Sequence, residues 1–334
     1  MSGRLDLRRG VVVSADPLEV EIDGERRRAW ADEVLLGEMR EGDEVVVNAA
    51  ALDLGLGSGG FDVVHVNLTR GLGGGVERDA HVMKLNYSSL QHPVEPVEEI
   101  AGERKRVPVA VLPLHGHLAP AAWAAAQACP GTRVGYVQTA GGALPGSLSR
   151  DVATLRERGL LAGHVTAAPA YGSEHEALST VGALDAAGAL GWDAVLVGPG
   201  PGIIGSDTEF GHGGMEALNS AHAALSLRLP TILSPRLSSG DPRERHRGLS
   251  HHTATMLELL LAPVTVAIPE GAPELASQVS GASLGLHQVE PVAVDLKGYA
   301  ASGLSTTTMG RDLRDDPLFF EAALATGAFV AWPR

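Results

Sequence analysis

The stretch AVLVGPGPGIIGSDTEFGHGG, Ala194–Gly214, decides the fold. Its opening run is apolar at every position and ends in a glycine–proline break, which reads as a short strand buried on both faces, the kind a parallel sheet contains. The glycines that follow, Gly200-x-Gly202-x-x-Gly205, have the look of a dinucleotide-binding turn. Working outward, runs of the same type begin near Val107 (VPVAVLPL), Arg133 (RVGYVQT), His164 (HVTAAPA), Pro230 (PTILSP) and Pro263 (PVTVAIP). With the run at Asp193 included, the starts lie roughly 26 to 37 residues apart, the length of a βαβ unit. Helix-length segments separate them: APAAWAAAQA, SLSRDVATLRERG, EHEALSTVGALDAAGAL, GMEALNSAHAALSL and SHHTATMLELLL. Residues 101–270 are therefore expected to form a doubly wound, mainly parallel α/β domain.

Residues 1–100 have a different rhythm. GVVVSA, LEVEID, RRRAWA, DEVVVNAA and FDVVHVNL are short strand-like runs, with Asp23-Gly24 as a hairpin turn between the second and third. None leaves room for a crossover helix, so a small antiparallel β-barrel or meander is expected, followed by the glycine-rich connector RGLGGGVERD. The tail, 271–334, offers a strand in HQVEPVAVDL and a helix opened by Asp316-Pro317, expected to pack back on the body.

Bulk properties narrow the function. The chain has 334 residues, 44% hydrophobic and only 4% aromatic, so its core is built from Ala, Val and Leu. A formal charge of −14 argues against nucleic acid or an anionic membrane as the main partner, since both are bound through a broad basic surface. No apolar run reaches the roughly 18 residues a membrane helix needs, and MSGRLDLRRG lacks the apolar segment of a signal peptide. The expected compartment is the cytoplasm. Cys129 is the only cysteine, which excludes an internal disulfide and any multi-cysteine metal site.

In open α/β sheets ligands bind beyond the carboxyl ends of the strands. Here those loops are HGHLAP, AGGALPG, YGSEHE, GPGPGIIGSDTEFGHGG and RLSSGDPRERHRGLSHH, and they hold His115, His117, His175, His212, His246, His251 and His252. The glycine turn itself does not meet the dinucleotide pattern: it follows the fourth strand, no helix begins at once, and the next strand ends in SPR with no acid for a ribose. Nor is there a Gly-Lys-Ser/Thr phosphate loop. Gly200, Gly202 and Gly205, with Thr208, remain candidates for holding an anion through backbone N–H groups, although Pro199 and Pro201 supply none.

The second signal is SPRLSSGDPRERHRGLSHHT, Ser234–Thr253, the densest cationic stretch of an acidic chain. Arg236, Arg245 and Arg247 are the candidate anion-binding side chains, and Ser250 is placed to cap the helix that follows. The plainer alternative is a solvated loop in which Asp241 and Glu244 pair with the arginines. For acid–base chemistry the candidates are His115, His251, His252, Glu174, Glu176 and Asp241. A metal held by His115 and His117 with His251 or His252, and Asp207 or Asp241 nearby, is a further possibility. Adjacent histidines on a helix point about 100° apart, so at most one of His251 and His252 is expected to face a given ion. His222, at helical spacing with Met215, Leu218 and Leu225, reads as a core residue.

Taken in order, NAAALDLGLGSGGFDVVHV, HVMKLNYSSLQ, LHGHLAP, TAGGALPGSLSR, GPGPGIIGSDTEFG, Pro235-Arg236 and DPRERHRGLSHHT resemble a bacterial family, domain of unknown function 3866. The segments span most of residues 40–270. The resemblance implies no activity, cofactor or site.

The function expected from the residues is an enzyme acting on a small anionic metabolite. The arginine loop and glycine turn would hold the anion, and a histidine would move a proton. The alternative is a non-catalytic ligand-binding or regulatory module whose β-domain contacts a partner or another copy in a homo-oligomer. The enzyme reading predicts that His115 and one of His251 or His252 meet in one cleft with the Gly200–Gly205 turn, whereas side chains scattered on separate faces favour the module.

Overall fold

A computed structural model describes residues 4–57, 59–73, 80–206, 208–282 and 285–332. The chain divides into two compact units, residues 1–93 and 94–334.

The first unit is a closed five-stranded barrel of β1 (Leu7–Ala15), β2 (Leu18–Ile22), β3 (Glu25–Trp30), β4 (Glu44–Asn48) and β5 (Asp62–Asn67), in the order β1-β2-β3-β5-β4. Period-two alternation puts Val12, Val20, Ile22, Val45, Val47 and Val64 inside, where they form the barrel core with Met39. The β2–β3 hairpin turns at Asp23 and Gly24, both with positive φ (53° and 82°), as a two-residue primed turn demands. The barrel is not purely antiparallel, because β3 and β5 run parallel. Short helices α1 (Glu33–Leu36) and α2 (Ala50–Asp53) lie in its connections, and a two-stranded ladder of β6 (Val82–Lys84) and β7 (His92–Val94) follows.

In the second unit, eight strands form one sheet in which every pairing is parallel. Six are the strands expected from sequence: β8 (Val109–Val111), β9 (Val134–Thr139), β10 (Gly163–Ala167), β12 (Ala194–Pro199), β13 (Thr231–Leu233) and β16 (Thr265–Pro269). Two extend the sheet at its margins, β11 (His175–Ala177) beside β10 and β17 (Gln288–Val292) beside β16. The stretch before Thr180, expected to begin a helix, supplies β11 instead. The order is β11-β10-β9-β12-β8-β13-β16-β17, and the short ribbon β14 (Leu237–Ser238) with β15 (Gly248–Leu249) stands outside it. A second two-stranded pair, β18 (Thr307–Thr308) with β19 (Arg311–Asp312), lies in the tail.

Alternation along the buried strands feeds two cores. Val109, Val111, Val137, Val195 and Val197 face one side, under α5 (Thr180–Ala186), α6 (Glu216–Ser226), α7 (His251–Leu259) and α8 (Pro273–Ala282). Ala110, Val134, Tyr136, Ala194 and Leu196 face the other, under α3 (Leu118–Ala128), α4 (Arg150–Glu157), α9 (Leu296–Ala300) and α10 (Pro317–Val330). This is the doubly wound arrangement. The tail is part of it, since β17 completes the sheet and the apolar α10, with Pro317 in its first turn, joins the second core. Among the described residues no helix is long and apolar enough to cross a membrane.

Candidate functional site

The strand order reverses at β8. From it the chain builds β9, β10 and β11 to one side, returns to insert β12 between β9 and β8, and crosses to lay β13 on the other flank. The ends are level, because Leu112 N–H donates to Val197 and Ser234 N–H to Val111. The loops after β8, β12 and β13 therefore leave side by side, as ligand-binding loops do in such sheets.

The loop after β8 makes one 3₁₀ turn at His115–His117 before α3. Both histidines are buried, and they diverge. His115 Nδ1 lies 3.1 Å from the Pro199 carbonyl, which can only accept, so Nδ1 carries the proton and Nε2 accepts from Ser149 Oγ at 2.7 Å. Burial holds this imidazole below its ordinary pKa, against the charge of Asp151. His117 Nδ1 pairs with Ser234 Oγ (3.0 Å) and its ring meets Phe319 edge-on. Burial, with Arg236 nearby, pushes His117 down to about 3.

The glycine turn after β12 serves close backbone packing. A Cβ on Gly200 would overlap the Ala143 carbonyl and one on Gly213 the Gly141 carbonyl, so the loops after β9 and β12 touch main chain to main chain. Gly202, with φ of 70°, carries the chain into a small hairpin in which Gly205 bridges His212. The N–H groups of Ile204 and Ser206 are bonded to Gly141 and Gly211 carbonyls. The Thr208 hydroxyl bonds Ser206 Oγ (2.8 Å) and accepts from Gly211 N–H (3.1 Å), closing the hairpin tip. Asp207 lies outside the described residues.

The loop after β13 is a clamp. The β14–β15 ribbon closes it, Ser250 N–H bonds the Arg236 carbonyl, and Arg236 N–H donates to Thr253 Oγ1 at 2.9 Å. Ser250 caps α7 by accepting from His252 N–H. Asp241 is fully buried below this clamp. Its carboxylate accepts from Arg243 (2.9 Å) and Arg236 (3.3 Å) with Arg311 at 3.5 Å, and its carbonyl accepts from Arg247 Nε. Burial alone would raise its pKa; the bonds from Arg243 and the charge of Arg311 outweigh that and hold it well below the usual carboxylate range. Asp316 fastens the same loop, accepting from Ser238 Oγ and from Ser239 and Gly240 N–H.

Above the arginines four histidines gather. His212, from the hairpin after β12, stacks on His252 with ring centroids 3.5 Å apart. His246 lies 4.9 Å from both His251 and His252, and those two are 4.3 Å apart. Arg236 Nη1 donates to His252 Nδ1 at 3.3 Å, while burial pushes the guanidinium down to about 10 against the opposing pull of Asp241. His212 Nδ1, His246 Nε2, His251 Nε2 and Arg236 Nε are buried without a hydrogen-bond partner among the described residues. Each such group costs about 1–3 kcal/mol when nothing satisfies it.

All four rings are held neutral. Burial, then Arg236, lowers His246 to about 3; burial, then His212, lowers His252 to about 2. His251 is lowered by burial and by Arg245, and His212 by burial. Neutral imidazoles beside guanidinium groups make a place that resists further protonation, draws an anion, and offers nitrogen lone pairs.

Of the candidates read from sequence, Arg236, His251 and His252 meet here. Arg245 is exposed on the 3₁₀ turn Glu244–His246, close enough to lower His251, and Arg247 is an exposed brace. Asp241 is bound up by arginines. His115 is not in the cluster; the loop after β12 links the two, with Pro199 against His115 at its start and His212 against His252 at its end. Contrary to expectation, His251 and His252 face one point together: with His246 their ligand atoms lie within 4.8 Å of one another. The sequence places His212 and His246 in these loops but gives neither a role. Arg311 and Asp316 come from the tail, and only the Asp316-Pro317 helix start signalled either. His222 is half-buried and accepts from Leu261 N–H.

A family model described as a protein of unknown function (DUF3866) matches residues 28–327. None of the curated proteins compared with the chain matches it.

Proposed function

The chain belongs to the DUF3866 family, and from that premise we propose that it is an enzyme acting on a small anionic metabolite, phosphorylated or carboxylated, at the carboxyl edge of its parallel sheet. The observation behind this reading is the meeting of Arg236 with four neutral histidines from two separate loops at the point where strand order reverses. Arg236 and Arg245 hold the anion. Asp241 keeps the arginines in place, and the half-buried His251 is the proton carrier. A second reading, ligand binding without chemistry, draws on the place of His115, which lies on Pro199 and Ser149 and not in the cluster where the enzyme reading expects it, and on the depth to which His246 and His252 are lowered, which makes both poor bases at neutral pH.

Thermal unfolding in the presence of inorganic phosphate, phosphorylated sugars, nucleotides and di- and tricarboxylates tests the anion site. A ligand at 100 times its Kd should add about 2.7 kcal/mol of stability, and Arg245→Ala should remove most of that gain. A chain stabilised by none of these anions sinks the proposal. Recovery of the stabilising compound unchanged after long incubation favours binding over catalysis.

A further inference from the structure

We propose that His246, His251 and His252 bind one divalent transition-metal ion of the zinc, cobalt and nickel class. The inference deepens the reading above and rests on it for the anion's place, though not for the ion's; it takes His251 out of proton transfer, since a ligating imidazole gives its one basic lone pair to the ion. Three imidazoles offer one nitrogen each, mutually within 4.8 Å. Metal–nitrogen bonds of about 2.0–2.1 Å need the nitrogens about 3.4 Å apart, so the rings must close by up to about 1.4 Å around an ion.

Independent observations point to a ligand there. His246 has no exposed surface, and its Nε2 has no partner among the described residues; neither has the buried Nε2 of His251. His246 Nδ1 is bonded to Ser250 Oγ at 2.7 Å, the outer hydrogen bond that fixes a metal-ligating imidazole's orientation. The same serine caps α7 and so sets the first turn that carries His251 and His252.

The third ring supplies the link to the anion. His252 Nδ1 now accepts from Arg236 Nη1. If His252 ligates through Nδ1 its lone pair goes to the ion; if it ligates through Nε2, Nδ1 carries the proton. Either way the bond from Arg236 is given up. The 3.3 Å separation makes that bond a weak one to lose. Arg236 Nη1 is then released, while Nη2 stays on Asp241. Ion binding thus frees one guanidinium nitrogen to donate to a carboxylate or phosphate oxygen, a charge-assisted bond. An all-imidazole set selects borderline metals over calcium or magnesium, which prefer oxygen. The nearby arginines oppose a cation, and the Glu209 carboxylate, which accepts from Thr255 on α7, partly offsets them.

The test uses the full, untagged chain freed of metal. Cobalt(II) titration followed by ligand-field absorption, with zinc affinity from competition against a chromophoric chelator, should give one ion per chain. His251→Gln, at a half-buried position, should weaken zinc at least ~100-fold while its circular dichroism stays that of the parent, and His222→Gln should bind as the parent does. Inorganic phosphate should bind more tightly to the cobalt-loaded chain than to the metal-free one. Failure to bind cobalt or zinc stoichiometrically, or unchanged zinc affinity in both His251→Gln and His252→Gln, overturns the metal site. Phosphate stabilisation that survives in the metal-free chain and is lost in Arg245→Ala would then leave the anion reading standing alone. Stoichiometric cobalt with no phosphate effect in either form keeps the ion and removes the anion.

Discussion

Asp241 shows how much one side chain holds together. It has no exposed surface and faces Arg236, Arg243 and Arg311, of which Arg236 is itself buried. Asp241→Asn removes the charge that keeps a buried guanidinium tolerable, and breaking a buried pair from one side costs about 3–5 kcal/mol. Urea unfolding should therefore show a lower midpoint, and stabilisation by phosphate should be lost with it. Buried histidines set the acid limit in the same way. His117 and His164 are lowered to about 3, in each case by burial first and by neighbouring positive charges after it. The unfolded chain takes up these protons near pH 6.5 and the folded chain only near 3, so the stability they lend is complete above 6.5 and drains away as pH falls between those values. His164→Phe keeps a ring stacked on Tyr136 and deletes one such proton. The slope of unfolding free energy against pH between 6 and 4 should drop by up to about 1.4 kcal/mol per pH unit; an unchanged slope would show that His164 does not titrate as described.

Among the elements, those with a strong local signal were legible in advance. Six central strands are short apolar runs at regular spacing, and Ser250 and Asp316-Pro317 mark two helix starts. β11 was hidden because it has only three residues, His175-Glu176-Ala177, two of them polar, paired with β10 and joined on the other side by a single bridge from Glu176 to Pro96. The cluster was half legible: the loops holding it could be named, but which rings meet depends on the β14–β15 ribbon and the Arg236–Thr253 bond, contacts no periodicity encodes. The glycines of the turn were conspicuous, yet their purpose lies in a loop some sixty residues earlier in the chain. Gly213→Ala should push that contact apart and lift His212 off His252. The expected result is a loss of about 1–3 kcal/mol and faster proteolytic cleavage within 204–213, read by mass spectrometry of the fragments.

For the whole molecule, the division at residue 93 gives each unit a hydrophobic core of its own. Residues 94–334 alone should then unfold cooperatively and keep any stabilisation by phosphate, as calorimetry can establish; a chain that stays unfolded would mean the second unit depends on the first. The insertion of β12 beside β8 also matters while the protein is being made. β8 is the first strand of its sheet to leave the ribosome, but its neighbours begin only at Ala194 and Thr231. β9, β10 and β11 can zip together early, whereas β8 must wait with both flanks bare until most of the polypeptide has been translated. Such distant pairings close slowly, so a nascent chain stalled before residue 194 is the form in which this protein is most exposed to aggregation and most in need of a chaperone.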